Sequence, residues 1–273
     1  MLLKFNKALK TLDKWHDALD KKQYEPLIKV WSGPKGTRRH LYKGAKSKRN
    51  HHFLSDGERR LGIIRDSLPE TVNYFEQYPL WDIELCVRIA IDMGIKYPCD
   101  EEGEAYVLST DFYCLETDLN DKNLATKEVA RTYKTLDSLD REIKHPVSVT
   151  RTLQKLELER RYYEDKQIPF VLETDHNVSI NCAYNLKWSK GCLKYIHEIK
   201  HNQQPFFMAF VEMASLYFET PLQEVIQRVS HRLGLSYDDG FGLFQWGVWS
   251  HQLPIDLDIK IDVFKPVPLR EVA

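Results

Sequence analysis

The stretch "STDFYCLETDLNDKNLATKEVARTYK", residues 109–134, constrains this chain more than any other. Two runs rich in Thr, Tyr, Phe and Val flank a polar centre, which is the pattern of a β-hairpin. With Asn120-Asp121-Lys122-Asn123 as the turn, the strands pair symmetrically about it. Asp111 then faces Thr132, and Lys134 faces Ser109, one same-face step away. Side chains so placed lie within roughly 5 to 8 Å of one another. Lys127 instead faces Glu116 on the other side of the sheet, roughly 17 Å away at 3.4 Å per residue. A cross-strand ion pair, Lys127–Glu116, is the expectation there. A slip of one residue would exchange the faces, so the turn decides which lysine accompanies Asp111.

An acid on one strand and Thr132-x-Lys134 on the next can be half of a phosphodiesterase site. A carboxylate such as Asp111 can hold a divalent metal, which stabilises charge on a phosphate and lowers the pKa of bound water. A neighbouring lysine can orient the attacking hydroxide and offset negative charge in the transition state. Glu58, from a helix, would complete the metal sphere. The competing reading is ordinary: Asp111 is a strand acid, and Ser55-Asp56-Gly57-Glu58 is a capping box in which Glu58 bonds the backbone amide of Ser55. On the residues alone both readings stand.

Along the chain, residues 1–28 read as an amphipathic helix through Leu2, Phe5, Leu9, Leu12 and Trp15. Gly33, Pro34 and Gly36 break that pattern. A basic block follows, with Lys35, Arg38, Arg39, Lys43, Lys46, Lys48 and Arg49 joined by His40, His51 and His52. Such a block is either a solvated loop or an anion-binding surface. The net charge of −1 identifies no partner. A helix starts after Ser55, with Leu61, Ile64 and Leu68 on one face. "YFEQYPLWD" reads as an extended piece ending at Pro79, "TRTLQKLELERRYYEDK" as a helix, and "IPFVLETD" as a strand. Thr220 is expected to cap a helix over "PLQEVIQRVSHRLGL", with Pro221 at its first turn and Gly234 at its end. "DDGFGLFQWGVWSHQL" reads as another helix, and "IDLDIKIDVF" alternates as a strand. Two short helices and a strand suggest a winged-helix type of domain. The fold class expected is therefore α/β over residues 1–174, followed by a mostly helical, winged-helix-like domain over 175–273. The five widely spaced cysteines form no CxxC pair, so neither a zinc site nor a disulfide framework is indicated. Absence of a signal-peptide core or bilayer-spanning stretch points to a soluble, cytoplasmic protein.

The blocks "RRHLYKGAKSKRNHHFLSDGE", "FEQYPL", "IAIDMGIKYP", "STDF", "EVARTYK" and "RTLQKLELERRYYEDKQIPF" follow one another in an order and wording that resemble TnsA. That family supplies the endonuclease subunit of heteromeric cut-and-paste DNA transposases. The resemblance covers roughly residues 37–173. It implies a restriction-endonuclease-like fold with a mixed sheet, and Mg²⁺-dependent hydrolysis, with Mn²⁺ as a substitute, at the 5′ ends of a transposon. By position, Glu58 and Asp111 match the family's catalytic acids and Lys134 its catalytic lysine. Thr132 lies where relatives carry Gln or another polar residue. Because Thr132 brings no carboxylate, Glu58 and Asp111 must supply most of the negative charge, with the Tyr133 carbonyl as a neutral ligand. The implied partners are transposon-end DNA, a TnsB-like DDE transposase and a TnsC-like AAA+ ATPase, in a prokaryotic cytoplasm and on the nucleoid when active. Arg38, Arg39, Lys48, Arg49, His51 and His52 are the expected DNA contacts. A non-catalytic assembly scaffold that keeps the nuclease fold is the rival reading.

Outside these blocks, Lys155, Arg160 and Arg161 can meet phosphates or pair with Glu157, Glu159 and Glu164 on a solvated face. Phe241, Phe244, Trp246 and Trp249 recur at helical spacing, which places at least two of them in a core. The segment from Ser236 to Gln252 carries no Lys or Arg and starts with Asp238 and Asp239. As a recognition helix it is poor material for reading phosphates, so a winged-helix domain here should dock protein at least as much as DNA.

Overall fold

A computed structural model describes residues 3–33, 38–120 and 125–270. The chain groups into two compact units, residues 1–59 with 70–177, and residues 60–69 with 178–273.

The first unit opens with α1 (Asn6–Asp20), which buries Ala8, Leu12 and Trp15. It is shorter than the expected 1–28 helix, and Lys22 just beyond it adopts φ 56°. The basic block folds into an antiparallel ribbon of β1 (His40–Lys43) and β2 (Asn50–Phe53). Next come α2 (Asp56–Ser67), β3 (Thr71–Pro79), α3 (Ile83–Asp92), β4 (Ser109–Thr117), β5 (Thr126–Tyr133), α4 (Pro146–Asp165) and β6 (Phe170–Glu173).

One four-stranded sheet runs β3-β4-β5-β6. The first two pairings are antiparallel and the last is parallel, so the sheet is mixed. A parallel neighbour needs a crossover longer than a hairpin turn, and α4 provides it. The β4–β5 register is the symmetric one: Phe112 faces Arg131 and Glu116 faces Lys127. Residues 121–123 of the expected turn lie outside the described residues. The Lys127–Glu116 ion pair gives way to another, because the Glu116 carboxylate takes the Arg131 guanidinium at 2.9 Å.

Successive strand residues point to opposite faces. On one face Tyr113 and Ala130 pack with Leu80, Cys86 and Ala90 of the α3 region and with Leu158, Tyr162 and Tyr163 of α4. On the other, Tyr74 and Phe112 meet His51 and Phe53 of the ribbon. Asp111 shares the Tyr113 face, which is the α4 side.

The second unit is helical, with α5 (Ile180–Ser189), α6 (Ile196–Ile199), α7 (Gln203–Leu216), α8 (Leu222–Leu233) and α9 (Tyr237–Trp249). Leu222, Val225, Ile226 and Val229 form the buried stripe of α8, and Gly234 ends it in the left-handed conformation at φ 69°. Pro221 rather than Thr220 holds the N-cap position, without a side-chain cap. On α9 the Ser236 hydroxyl accepts from the Asp239 amide. Eight of its 13 residues are buried, Phe244 and Trp249 included. The expected core placement of at least two of its aromatic residues is met by Phe244 and Trp249. The strand expected from "IDLDIKIDVF" is absent among the described residues. Ile255, Leu257 and Ile261 are buried as the alternation implies. At its start the segment makes a single antiparallel bridge, Ile255 to Leu269, and farther along the Asn185 side chain takes the backbone groups, donating to the carbonyls of Leu257 and Ile259 and accepting from the Ile261 amide.

Candidate active site

Four elements meet at the C-terminal end of β5. Strand β4 carries Asp111, and β5 leads into Thr132, Tyr133 and Lys134. The first turn of α2 carries Glu58, and the middle of α4 carries Glu159. Asp111, Thr132, Lys134 and Glu159 line one cleft of about 350 Å³, together with Ser109 and Lys155.

The hairpin pairing puts the lysine where its chemistry needs it. Lys134 Nζ donates to Asp111 Oδ2 at 3.3 Å and to the Tyr133 carbonyl at 2.8 Å, and the Tyr133 amide donates to the same Asp111 oxygen at 2.8 Å. Burial works against the ammonium charge, but Asp111, Glu159 and Glu58 outweigh it and raise the Lys134 pKa. The lysine is therefore held cationic among three acids.

Glu58 satisfies both readings of its sequence at once. Its amide donates to Ser55 Oγ at 3.1 Å, and its carboxylate accepts from the Ser55 hydroxyl at 3.0 Å and from the Leu54 amide at 2.9 Å. This is a capping box shifted by one amide from the expected Ser55. The same carboxylate also accepts from Gln77 Nε2 at 3.2 Å. Burial, followed by repulsion from Asp111, lifts the Glu58 pKa to about 7. A cap in water would feel neither effect, so its environment is that of a site.

Gln77 was not anticipated. The β3–β4 register places it opposite Asp111, between the pairs Glu76–Phe112 and Tyr78–Thr110. Its backbone sits at φ 49°, which a residue with a Cβ adopts only when the surroundings hold it there. It is buried, donates to Glu58 and accepts from Ser109 Oγ at 3.1 Å.

Glu159 was read from the sequence as a solvated partner of arginines, and it is buried. Burial and the Asp111 charge push its pKa to about 7. Thr132 Oγ1 donates to it, and Thr110 Oγ1 lies 3.0 Å from Thr132 Oγ1. The carboxylate that Thr132 lacks is thus brought to the same cleft from α4. Its sequence signal is spacing: Glu159 shares the apolar face of Leu156, Tyr162 and Tyr163 rather than the charged one.

The expected DNA contacts divide. Arg49 donates to both Glu76 oxygens, at 2.8 and 2.6 Å, and His51 Nδ1 lies 2.8 Å from Glu76 Oε2. His51 and His52 are buried, and His52 Nδ1 accepts from the Val30 amide at 3.2 Å. Burial would raise the Glu76 pKa, but His51 and Arg49 hold it down at about 2. Arg49 and His51 anchor the ribbon to β3 through Glu76, His52 adds its backbone amide, and phosphate cannot reach the two buried histidines. Arg38 and Lys48 remain exposed, while Arg39 donates to the Gly33 carbonyl.

Among the described residues no three His, Cys, Asp or Glu side chains gather as a metal cluster. The oxygen donors at the site are the carboxylates of Glu58 and Asp111 and the Tyr133 carbonyl. Hard oxygen donors suit a divalent cation such as Mg²⁺. The raised Glu58 pKa marks negative charge that a cation there would relieve.

Two comparisons bear on this geometry. The family model for the TnsA-like endonuclease N-terminal domain matches residues 68–175. The chain is also 34% identical over 167 residues to the transposon Tn7 transposition protein TnsA of Escherichia coli, covering 61% of this chain and 56% of that protein. It thus spans little more than half the length of that relative. The matched segment holds Gln77, Asp111, Thr132, Lys134 and Glu159 but begins after Glu58. Glu58 is placed by the fold.

Proposed function

We propose, from the premise that residues 68–175 match the TnsA-like endonuclease N-terminal family model, that this chain is a metal-dependent DNA endonuclease that cuts the 5′ ends of a transposon. The observation that carries the reading is the Lys134 ammonium held between the Asp111 carboxylate and the Tyr133 carbonyl, beside a desolvated Glu58. A scaffold that had lost catalysis would have no reason to keep two buried acids with pKa values near 7 beside a lysine.

Glu58, Asp111 and the Tyr133 carbonyl would hold the cation, which when bound supplies positive charge at the scissile phosphate and a more acidic water. The remaining work falls to side chains. Lys134 orients the attacking water and places its charge where negative charge develops on the phosphate oxygens. Asp111 fixes Lys134 and ties the end of β5 through the Tyr133 amide. Glu58 Oε2 is kept in place by the Leu54 amide and Gln77. Glu159 adds negative potential at Lys134 and takes the Thr132 hydroxyl, so that Thr132 acts as its partner rather than as a ligand.

DDE transposase and AAA+ ATPase partners fit this role, because a nuclease of such modest DNA grip needs an assembly to select its cut site. The test is to assemble the protein with its cognate transposase, transposon-end DNA and Mg²⁺, and to map 5′-strand nicks. Asp111→Ala and Lys134→Ala should each lose nicking by at least about 100-fold while complexes still form. Wild-type nicking by Asp111→Ala would refute the site.

A further inference from the structure

The site opens onto a run of cations that make no ion pair among the described residues. Arg151, Lys155 and Glu159 recur every fourth residue on α4 and so share one face, about 6 Å apart per step. Glu159 belongs to the candidate site. Lys155, one turn back, lines that same cleft. It also lines two adjoining grooves. One, of about 530 Å³, is formed with His145, Ser148, Arg151 and Thr152. The other, of about 420 Å³, is formed with Lys96, Cys99 and Arg151. The three depressions share walls, and no acid lines either groove outside the cleft.

Lys96, Arg151 and Lys155 are exposed, and none forms a salt bridge among the described residues. Other cations behave differently. Arg160 and Arg161, on the same helix, are engaged by Glu157, and Arg160 also by Glu164. In the ribbon, Arg49 is bound to Glu76 and Arg38 lies 3.3 Å from Asp56. Unpaired cations occur elsewhere on the surface too, but these three line grooves that adjoin the cleft with Asp111 and Glu159.

We propose that this track of Lys96, Arg151 and Lys155 carries the phosphates of duplex DNA flanking the cut site, and delivers the scissile phosphate to Lys134. This rests on the nuclease reading and specifies where that nuclease holds its substrate. A strand with one charge per about 3.4 Å of helix axis meets cations one helical turn apart along its length. The carboxylates of Asp111 and Glu159 at the track's end repel the backbone, so the strand is held by its flanks until a cation offsets them.

The test uses the full chain in a chelator, so that no cutting occurs, and measures duplex binding by fluorescence anisotropy across a salt series. The triple substitution Lys96→Gln, Arg151→Gln, Lys155→Gln should weaken binding and flatten the slope of log K against log salt by about 0.9 per lost contact, up to roughly 2.7. The control, Arg160→Gln with Arg161→Gln, should leave the slope within about 0.5 of wild type. Because the substituted residues are exposed or half-buried on the surface, circular dichroism should show both variants folded. As a local readout, duplex DNA should slow alkylation of Cys99, in the groove wall, and leave Cys182 unchanged. Equal losses in triple and control, or an unprotected Cys99, would overturn the track. So would polyglutamate binding that the triple variant abolishes while duplex binding persists, since that marks an acidic protein partner. A triple variant with wild-type slope in a protein that still nicks defeats the track alone. A wild type that neither binds duplex nor nicks in the full assembly defeats the nuclease reading with it.

Discussion

Glu58 and Glu159 hold their protons far above the ordinary range, near pH 7 against a usual 4.5. A carboxyl whose pKa rises on folding binds more protons folded than unfolded between those values, so stability falls as pH rises through that window. The cation-free protein should accordingly lose stability from about pH 4.5 to pH 7. Glu58→Gln and Glu159→Gln should each flatten that loss, as denaturant midpoints across the range would show. Glu76 runs the other way and in a different window. Its pKa of about 2 contributes stability that disappears only as pH falls below 4.5 toward 2, so it cannot mask the first effect. Added Mg²⁺ should reverse the decline near neutrality, because it favours the ionised Glu58. A wild-type pH profile in both Gln variants would sink the assignment. Gly57 makes a related point by sterics. A Cβ there would lie 1.8 Å from the Tyr133 ring, which is itself buried. Gly57→Ala should therefore cost about 1–3 kcal/mol and reduce nicking, because the displaced residue is the one whose carbonyl bonds Lys134. Thermal unfolding and the nicking assay read the two consequences separately.

At the scale of elements, the ribbon and β3 share one buried ion cluster, Arg49–Glu76–His51. Breaking such a cluster on one side leaves a buried charge unpaired, at a cost of about 3–5 kcal/mol. Arg49→Met should lower stability by that order and leave the salt slope of DNA binding unchanged. A reduced slope with native stability would restore Arg49 as a phosphate contact. The hairpin was legible because its strand period and polar turn both specify one register, and the choice of Lys134 over Lys127 follows from that register alone. The ribbon was not, since a basic loop and a basic ribbon have the same composition. The side chains of Arg49 and His51 turn to Glu76, and that of His52 to the Val30 amide, partners distant in sequence. Glu159 was hidden for the opposite reason: flanked by Glu157, Arg160 and Arg161, it looks solvated unless the helix face is counted. The alternation over 255–264 reports burial correctly but overstates pairing, which shrinks to a bridge from Ile255 to Leu269 because the Asn185 side chain takes the backbone of 257–261. The parallel β6 is likewise fixed by α4, whose length the sequence shows but whose direction of return it does not.

On the scale of the whole molecule, the two units do not divide the chain at one point. Residues 60–69, which continue α2 beyond Glu58, group with residues 178–273. Within that second unit Asp66 is 1% exposed and accepts from Lys190 Nζ at 3.1 Å, and Ser67 Oγ lies 2.9 Å from His251 Nε2. The helix that presents a site acid at its start therefore supplies part of the C-terminal unit's structure at its end. An expected boundary at 174/175 misses this, because contiguity in sequence is no measure of packing. The consequence is testable with Asp66→Ala, far along the helix from Glu58. Removing a buried carboxylate from its ammonium should cost about 3–5 kcal/mol, and the loss should fall on the unit that Asp66 helps build. Hydrogen exchange should accelerate in α8 and α9 while β4 and β5 keep their protection. Uniform acceleration across both units would show that they open together and that the division at Arg59 has no energetic meaning. Acceleration confined to β4 and β5 would place Asp66 with the wrong unit.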